Sequence, residues 1–470
     1  MSTAEEDDFY LPMHVLAEKI ADGRISARSY MERLLRRVQT SELNAFCALA
    51  AEKAVEEASA VDFAVAHGKA DWTATPLLGV PVSIKDNIET AGMRTTYGSA
   101  VFADNVPDQD AVCVARLRKA GAIIFGKTTL PEFATKGVVD SPLLGVTRNP
   151  WNPGKVVGGS SGGAAAAVAA GLGPLAIGND QAGSVRIPAA LCGVAALKPS
   201  GGRVPFAPNW FPWDHMFTVG MLARDVSDLD MALRVLEGPD SRDPLSLPRI
   251  HEGDVQVQER TIRVAWSSTL GFGRVSADVL SVVQDALKRL ANACGIVECA
   301  IDLSPAIEAY TTLVPVKRLI EIGDKLDAWE SKMDPAVVAY VRRGQALSVD
   351  DVRQAFQSRL NTYNEVERVF ASHDVIMTPT LSVTAFDIGR DRPEQIDGVG
   401  LKDFHEWFPF TYPFNMTGHP AVTIPVGFTA ENLPVGLQLV GRRFSDHSLL
   451  AFAAYVVECL QLERRRPSVH

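Results

Sequence analysis

The chain has 470 residues, a formal net charge of −10, 47% hydrophobic residues and 22% charged residues, which is an ordinary globular composition. The acidic balance offers no overall attraction to a polyanion, so we expect no nucleic-acid partner and no binding to an acidic membrane. The N-terminus lacks an apolar signal segment, and the six scattered cysteines include no C-x-x-C pair. We therefore expect reduced thiols and a cytoplasmic location.

The first elements are predicted to be helices, over residues 10–66, because apolar residues recur there at helical spacing among charged ones. Ser26 is suited to cap the helix that begins with ARSYMERLLRRV. From Leu77 onwards, short apolar runs alternate with helical stretches such as 110–121 and 162–171. This alternation predicts an α/β fold whose sheet is covered on both faces.

The second half of the chain continues the alternation. Residues 225–237 are predicted to form a helix capped by Asp225 or Ser227, and the stretch 238–262, rich in Pro and Asp, is predicted to be a connection. The periodicity predicts further helices at 276–296, 350–370 and 446–463, and strands at 374–380, 421–427 and 435–441.

The stretch 121-GAIIFGKTT-129 matches the phosphate-binding P-loop pattern. In a working P-loop the glycines lie in a loop between a strand and a helix, so that backbone N–H groups surround phosphate. Here the residues between the two glycines are Ala, Ile, Ile and Phe, which are typical of a buried strand. We interpret the match as a strand between glycines, and Lys127 as a structural or site-flanking residue.

The stretch VGGSSGGAAAAVAAG matches G-x-S-x-G, the nucleophile elbow of serine hydrolases, at both Ser160 and Ser161. Glycines let the backbone approach a reacting centre, and the helix start supplies free N–H groups. A Gly/Ser turn that simply opens a helix is the alternative. A serine–histidine–aspartate triad needs a paired His and Asp, and no such pair stands out around His405, His419 or His447, the last of which is interpreted as a surface residue.

Two further stretches place polar residues where apolar strands end. Lys85 directly follows the strand in VPVSIKDN, where burial would lower its pKa and make the amine a base. A lysine that reaches solvent from the strand end is the plainer alternative. In GNDQAGSVRIPAA the strand ends in a polar turn before Ser184, and successive N–H groups in such a turn are suited to form an oxyanion hole.

At these residues the sequence resembles the amidase signature family. The resemblance rests on the blocks GVPVSIKDN (79–87), AGAIIFGKTTLPEFA (120–134), GGSSGGAAAAVAAG (158–171), GNDQAGSVRIPAALCGVAALKPSGGRV (178–204), FNMTGHPAVTIPVG (414–427) and LPVGLQLVGRR (433–443). It covers nearly the whole chain and implies the family's fold, a large twisted mixed β-sheet core with helices on both faces.

The same resemblance implies how the chain is organised, as a single domain over 1–470. Within it, 10–66 would be N-terminal helices, 77–205 the catalytic core, and 206–470 the rest of the sheet together with the loops at the substrate entrance.

The resemblance also implies a Ser–Ser–Lys catalytic set and no metal or other cofactor. Ser184 would be the nucleophile that forms an acyl-enzyme, Ser160 would bridge, and neutral Lys85 would be the general base. The oxyanion would be bound by the backbone N–H groups of four successive residues, namely Gln181, Ala182, Gly183 and Ser184.

Residues with supporting roles are expected around this set. Ser161 is expected to form a hydrogen bond near the relay. Asp180 and Arg186 flank the nucleophile turn and are expected to pair and fix it, in a structural role.

The chain departs from the family pattern just before the nucleophile. The family usually has two glycines there, whereas this chain has Ala182 followed by Gly183. Gln181 stands where Thr or Gly is common. We expect the N–H geometry to survive, provided that Ala182 has an unstrained φ, and the pocket wall to change.

The substrate is expected to be a small apolar or aryl amide, since two aromatic clusters lie in segments that border the substrate entrance in the family. Core packing is the alternative role for both clusters, which comprise Phe206, Trp210, Phe211 and Trp213, and Trp407, Phe408, Phe410 and Tyr412.

Other functions and an oligomeric state remain to be weighed. One alternative is the A component of a glutamyl-tRNA amidotransferase, although those proteins typically have Gln where Ile187 stands here. Another is a non-catalytic relative that only binds a ligand. A homodimer is an expectation at the family level.

Overall fold

The computed structural model describes residues 7–252, 262–463 and 465–468. The helices in these ranges are α1 (Met13–Ala21), α2 (Ala27–Thr40), α3 (Ala51–Ala66), α4 (Val112–Lys119), α5 (Gly162–Ala169), α6 (Arg186–Cys192), α7 (Val226–Leu236), α8 (Ala277–Leu290), α9 (Pro305–Ile322), α10 (Leu326–Trp329), α11 (Pro335–Ala346), α12 (Val349–Phe370), α13 (Pro413–Met416) and α14 (Asp446–Leu460).

The main strands are β1 (Phe46–Leu49), β2 (Pro81–Lys85), β3 (Ile123–Thr128), β6 (Leu175–Asp180), β7 (Ala195–Lys198), β8 (Thr218–Ala223), β9 (Arg263–Trp266), β10 (Gly295–Glu298), β11 (Val375–Pro379), β14 (Ala421–Phe428) and β15 (Pro434–Gly441). Two short hairpins complete the strands: β4 (Asp140–Ser141) with β5 (Gly145–Val146), and β12 (Gln395–Ile396) with β13 (Val399–Gly400).

The main strands form one eleven-stranded mixed sheet, in the order β1-β3-β2-β6-β8-β7-β14-β15-β11-β9-β10. Strand β2 pairs in parallel with both β3 and β6, so the carboxyl ends of these three strands lie at one edge of the sheet. Polar residues that follow such strands converge at that edge. The expectation of a large mixed sheet is confirmed.

Helices cover both faces of the sheet, as the sequence predicts. One face is packed by α4, α7, α8 and α14, whose buried residues share a core with β2 and β6. The other face is packed by α2, α3, α5 and α6. In α5 the run Ala164–Ala167 is fully buried, because only small side chains let a helix lie so close to the sheet.

Several local predictions are confirmed. Ser26 caps α2 by accepting a hydrogen bond from the Ser29 N–H, and Asp225, not Ser227, caps α7. The residues of the P-loop match form β3, and Gly121 before them has φ 90°. Part of the predicted connection 238–262 lies outside the described residues.

The prediction that residues 10–66 are helical throughout is wrong over Phe46–Leu49. These residues form the edge strand β1, which pairs antiparallel with β3. A four-residue strand between two helices is too short to interrupt the helical pattern of its neighbours.

A further layer, which we call the cap, lies over the carboxyl edge of β2 and β6. It consists of α9, α11 and the segment 404–416, and its buried residues, among them Tyr310, Phe408 and Tyr412, pack against Ile187 of α6. No helix of the described residues is long and apolar enough to span a bilayer.

Candidate active site

Lys85 is the last residue of β2, and its side chain is fully buried. Its Nζ lies 2.7 Å from Ser160 Oγ and donates a 2.8 Å hydrogen bond to Asn179 Oδ1. Burial holds the pKa of Lys85 well below its usual range, and the nearby charge of Asp180 opposes this shift only in part. Burial therefore favours the neutral form of the amine.

The serine pair lies in the turn that opens α5. Ser160 is fully buried and follows a cis peptide bond with Gly159. Ser161 occupies the N-cap position, and its N–H donates to the carbonyl oxygen of Ser184 at 2.9 Å. Its hydroxyl donates to the carbonyl oxygen of Asn179 at 3.3 Å, so Ser161 joins the elbow to the strand end that supports Lys85.

Ser184 stands in the turn between β6 and α6 and lines a cavity of about 30 Å³. In the described part of the chain, no hydrogen bond links Ser184 Oγ to Ser160 Oγ. The described residues thus contain a contact between Lys85 and Ser160 but none between Ser160 and Ser184. Hydrogen bonds of catalytic groups are often long before substrate binds.

The N–H groups of this turn are not all free. The Gly183 N–H donates to Asp180 Oδ1 at 2.7 Å, so it is already engaged. No described group accepts a hydrogen bond from the N–H groups of Gln181, Ala182 or Ser184. Gly183 therefore drops out of the predicted set of oxyanion donors, which leaves the N–H groups of Gln181, Ala182 and Ser184.

Gly183 instead shapes the turn. Its φ is 118°, and a Cβ at this position would lie 2.5 Å from Thr411 Oγ1. The Thr411 hydroxyl donates to the Ala182 carbonyl oxygen at 2.6 Å, which anchors the turn to the cap. Ala182 itself has an ordinary φ, so a side chain there causes no backbone strain.

Asp180 and Arg186 form a fully buried, two-pronged ion pair, with Nε–Oδ2 3.0 Å and Nη2–Oδ1 2.9 Å. Burial alone would raise the pKa of Asp180, but the Arg186 charge and hydrogen bonds hold it below its usual range. Arg186 also donates to Thr411 O, Gln438 Oε1 and Asn415 Oδ1. The pair therefore ties the nucleophile turn to the last quarter of the chain.

Sequence reasoning missed several residues of this site. Asn179, which precedes Asp180, accepts from Lys85 and donates to Asn87 Oδ1 at 2.8 Å. Asn415, in the block FNMTGHP, donates to Asp180 at 2.9 Å. Lys317 of α9 donates to Gln181 Oε1 at 3.0 Å. Of these residues, only Asn179 could have been identified from the sequence, since it too stands at the end of a buried strand.

Two small cavities meet at the nucleophile turn. The one beside Ser184, which we call the acyl cavity, has a mostly apolar wall that includes Ile187, Tyr310, Val314 and Phe408. The other, of about 40 Å³, which we call the aromatic cavity, is lined by Tyr97, Phe133, Phe206, Trp210 and Phe217 among others. Gln181 and Arg318 line both, so they mark the boundary between the two.

Some residues of the two predicted aromatic clusters line a cavity, and others are buried in the core. Trp210 stacks on Phe102 with ring centroids 5.3 Å apart and lines the aromatic cavity. Trp407, Phe410 and Tyr412 are fully buried in the cap, and Phe408 is buried there and also lines the acyl cavity. Core packing thus accounts for most of the second cluster.

In the described part of the chain, His405, His419 and His447 form no hydrogen bond with Ser160 or Ser161. His405 packs against Tyr310, and His419 Nδ1 pairs with Thr417 Oγ1 at 2.9 Å. The interpretation of His447 as a surface residue is wrong, because its ring bridges Asp230 at 2.5 Å and Glu237 at 3.3 Å.

Comparisons with known proteins identify the family of the chain. The family model described as Amidase matches residues 29–450. The acylamidase of Rhodococcus erythropolis is 36% identical over 463 residues, which cover 96% of this chain and 95% of that protein. The A component of the glutamyl-tRNA(Gln) amidotransferase of Moorella thermoacetica is 32% identical, covering 98% of this chain and 99% of that protein.

Solved structures of similar fold cover almost the entire chain. A bacterial aryl acylamidase of the amidase signature family superposes with a TM-score of 0.87 at 25% identity, covering 96% of each chain. The 6-aminohexanoate cyclic dimer hydrolase in complex with substrate superposes with a TM-score of 0.87 at 27% identity, covering 98% of this chain and 99% of that one. The chain belongs to the amidase signature family and is an amide-hydrolysing enzyme.

Proposed function

We propose that the protein hydrolyses a small apolar or aryl carboxylic acid amide through an acyl-enzyme on Ser184. The observation that carries the proposal is the 2.7 Å contact between the buried Lys85 amine and Ser160 Oγ, at the edge of the sheet where Ser184 faces a cavity. An amine with a lowered pKa is a competent base at neutral pH.

The reaction begins with proton transfer along the relay. Neutral Lys85 accepts the proton of Ser160, and Ser160 accepts the proton of Ser184, whose oxygen attacks the amide carbonyl carbon. Asn179 accepts one N–H of the Lys85 amine, which fixes the amine and directs its lone pair toward Ser160. A carbonyl in resonance with nitrogen is a poor electrophile, so this activation is needed.

The tetrahedral intermediate carries its negative charge on the former carbonyl oxygen. The N–H groups of Gln181, Ala182 and Ser184 are the donors proposed to bind it, and one such donor is worth about 3–4 kcal/mol in other enzymes. The proton returns through Ser160 to the leaving nitrogen. Water then attacks the acyl-enzyme by the same route and releases the acid.

The substrate class follows from the walls and sizes of the two cavities. A mostly apolar wall beside Ser184 favours an apolar acyl group. A cavity of about 30 Å³ accommodates a short alkyl group as it stands. A phenyl ring needs a cavity on the order of 100 Å³, so an aryl group requires the cap side chains to move apart.

The relatives support this class. One is named an acylamidase and another an aryl acylamidase. The A components of amidotransferases are the second candidate, favoured by their 31–34% identity over most of the chain. Glutaminase activity that rises when the other components of such a complex are added would favour this second candidate.

The test is intact-protein mass spectrometry after exposure to a fluorophosphonate, with peptide mapping of the adduct. We expect one adduct, on Ser184, that is lost in Ser184→Ala and strongly slowed in Lys85→Met. The labelled protein should lose hydrolysis of a panel running from acetamide and propionamide to benzamide and acetanilide.

A label on Ser160 or Ser161 that persists in Ser184→Ala would overturn the assignment of the nucleophile. Absence of any label, together with partner-dependent glutaminase activity, would replace the hydrolase with the amidotransferase component.

A further inference from the structure

A cavity of about 600 Å³ lies outside the site around Ser184. It is bordered by the loop 201–217, the loop 243–247, α12 and the end of β15. Phe206, Asn209 and Phe217 line both this cavity and the aromatic cavity, so they form the wall between the two. We call the larger one the outer cavity.

Two guanidinium groups face the outer cavity without a carboxylate partner. Arg359 of α12 donates from Nε to the carbonyl oxygen of Met416 at 2.6 Å. Arg443, just after β15, lies over the ring of Phe444 at 4.7 Å. Within the described ranges, neither forms an ion pair. By contrast, the buried Arg186 and Arg203 both pair with carboxylates.

The carboxylates that line the outer cavity are engaged elsewhere. Asp214 lies 2.7 Å from Lys317 Nζ and accepts from the Met216 N–H at 2.9 Å. Asp243 accepts from the N–H groups of Phe206 and Leu245, both at 2.9 Å. Asp214 lies near enough to favour the charged form of Arg359, but within the described ranges neither acid forms an ion pair with Arg359 or Arg443. The two guanidinium groups are therefore available to an anion.

The arginines also lie close enough to affect each other and His215. Burial, and then the charge of Arg359, lowers the pKa of His215, so this ring is neutral at physiological pH. Burial lowers the pKa of Arg359; the charge of Asp214 opposes this shift, and the charge of Arg443 adds to it. A guanidinium group without an ion-pair partner gains free energy when a carboxylate binds it.

The remaining lining is apolar. Phe206 and Phe217 form the inner wall, while Phe356 and Leu360 of α12 form the rim with exposed fractions of 54% and 50%. Exposed apolar side chains beside a cavity that is lined by two guanidinium groups are typical of a ligand site. A small inorganic anion would leave these apolar surfaces in contact with water.

We propose that the outer cavity is a second ligand site, which binds an organic carboxylate with an apolar body. The carboxylate lies between the guanidiniums of Arg359 and Arg443, and the apolar body lies against Phe206, Phe217 and Leu360. Planar guanidinium groups match a carboxylate in geometry as well as charge. This site is separate from Ser184 and does not depend on the proposed reaction.

The test is isothermal titration calorimetry of the full chain with sodium benzoate and sodium hexanoate, with benzyl alcohol as an uncharged control. We expect one carboxylate per chain, weaker binding at high salt, and no measurable binding of benzyl alcohol. Arg443→Gln and Arg359→Gln should each weaken binding by about tenfold or more.

Matched variants locate the bound anion. Arg353→Gln changes an exposed arginine of the same helix that pairs with Asp350 at 2.7 Å, and should leave binding unchanged. Arg318→Gln changes the arginine at the acyl cavity and should also leave it unchanged. Arg443 is exposed, so its variant should fold even if Arg359→Gln does not.

Three results would overturn the proposal. One is the absence of binding by both carboxylates at millimolar concentration. Another is equal binding of benzyl alcohol. The third is loss of binding in Arg318→Gln with retention in Arg443→Gln, which would place the carboxylate beside Ser184.

Discussion

Two buried lysines on neighbouring strands have opposite surroundings. Lys85 on β2 and Lys127 on β3 are both fully buried, and Lys127 pairs in register with Ile84, the residue before Lys85. The Lys127 amine donates to Ile88 O and to the hydroxyls of Thr90 and Thr95, which in turn donate to backbone carbonyl oxygens. The Lys85 amine meets one amide oxygen and one hydroxyl that is able to donate in return.

Charge separates the two sites further. Burial lowers the pKa of Lys127 to about 8, with the adjacent Asp86 opposing the shift. Burial lowers the pKa of Lys85 well below its usual range, and the carboxylate that opposes it, Asp180, is already paired with Arg186. Equally buried lysines therefore differ in their acceptors and nearby carboxylates, and we propose that Lys127 is a structural ammonium and Lys85 a base.

The largest expected difference is in activity. Lys85→Met removes the base, so we expect kcat/KM to fall by about 10⁴-fold, as for a catalytic group that acts as part of a unit. Lys127→Met should keep kcat/KM per folded molecule within about tenfold, since its amine contacts no proposed catalytic residue. Steady-state amide hydrolysis with active-site titration measures both. Equal losses in the two variants would contradict the distinction.

Asn179→Asp makes the surroundings of Lys85 resemble those of Lys127. A carboxylate beside Nζ stabilises the ammonium and should raise the pKa of Lys85 by about 1–3 units. Because the neutral amine is the active form, the acid limb of the kcat/KM profile should move to higher pH by the same amount. Asn87→Asp, one residue further out in the same chain of amides, is the control and should give a smaller shift. An unmoved acid limb would exclude Lys85 as the base.

Lys127→Met should lower the free energy of unfolding by about 2–4 kcal/mol. The substitution leaves three buried acceptors without their donor and Asp86 without its neighbouring cation. Urea denaturation followed by circular dichroism measures the change. Lys85→Met, which leaves two buried acceptors, Asn179 Oδ1 and Ser160 Oγ, without their donor, serves as the control and should cost less. The reverse order would show that Lys127 is not a structural ammonium.

The pH dependence of stability gives the smallest effect. Lys127 has a folded-state pKa of about 8, below the unfolded value of about 10.5, so the unfolded chain binds more protons between these pH values. The contribution of Lys127 to the free energy of unfolding therefore rises with pH across that window, by up to about 3 kcal/mol. The difference between wild type and Lys127→Met, measured by denaturation from pH 7.5 to 10.5, isolates this rise. A constant difference would mean that the Lys127 pKa is not lowered.

The proposed reacting groups were easier to predict from the sequence than their surroundings. Lys85, Ser160 and Ser184 each stand at a strand end or in a glycine-rich turn, where local pattern and family blocks agree. That Asp180 takes the Gly183 N–H was not predictable, because it depends on the rotation of one peptide unit. Asn415 and Lys317 reach the site from more than 100 residues away, and no local pattern encodes such contacts.

The fold was predictable where periodicity is strong. Strands such as Ile123–Thr128 and Pro434–Gly441 are apolar runs bounded by Gly or Pro, and they were placed within two residues. The helices of the cap between 305 and 346 were not predicted, because Pro315 stands inside α9 and proline is read as a helix breaker. The cap is held by packing against the sheet edge, which a local pattern does not show.

The hydrogen bonds of Arg186 join residues that are synthesised at different times. Arg186 and Asp180 leave the ribosome well before their partners Thr411, Asn415 and Gln438, and synthesis proceeds at about 5–20 residues per second. The turn that carries Ser184 is complete only after the last quarter of the chain arrives. We therefore expect a nascent or C-terminally truncated chain to contain all three proposed catalytic residues and still lack activity.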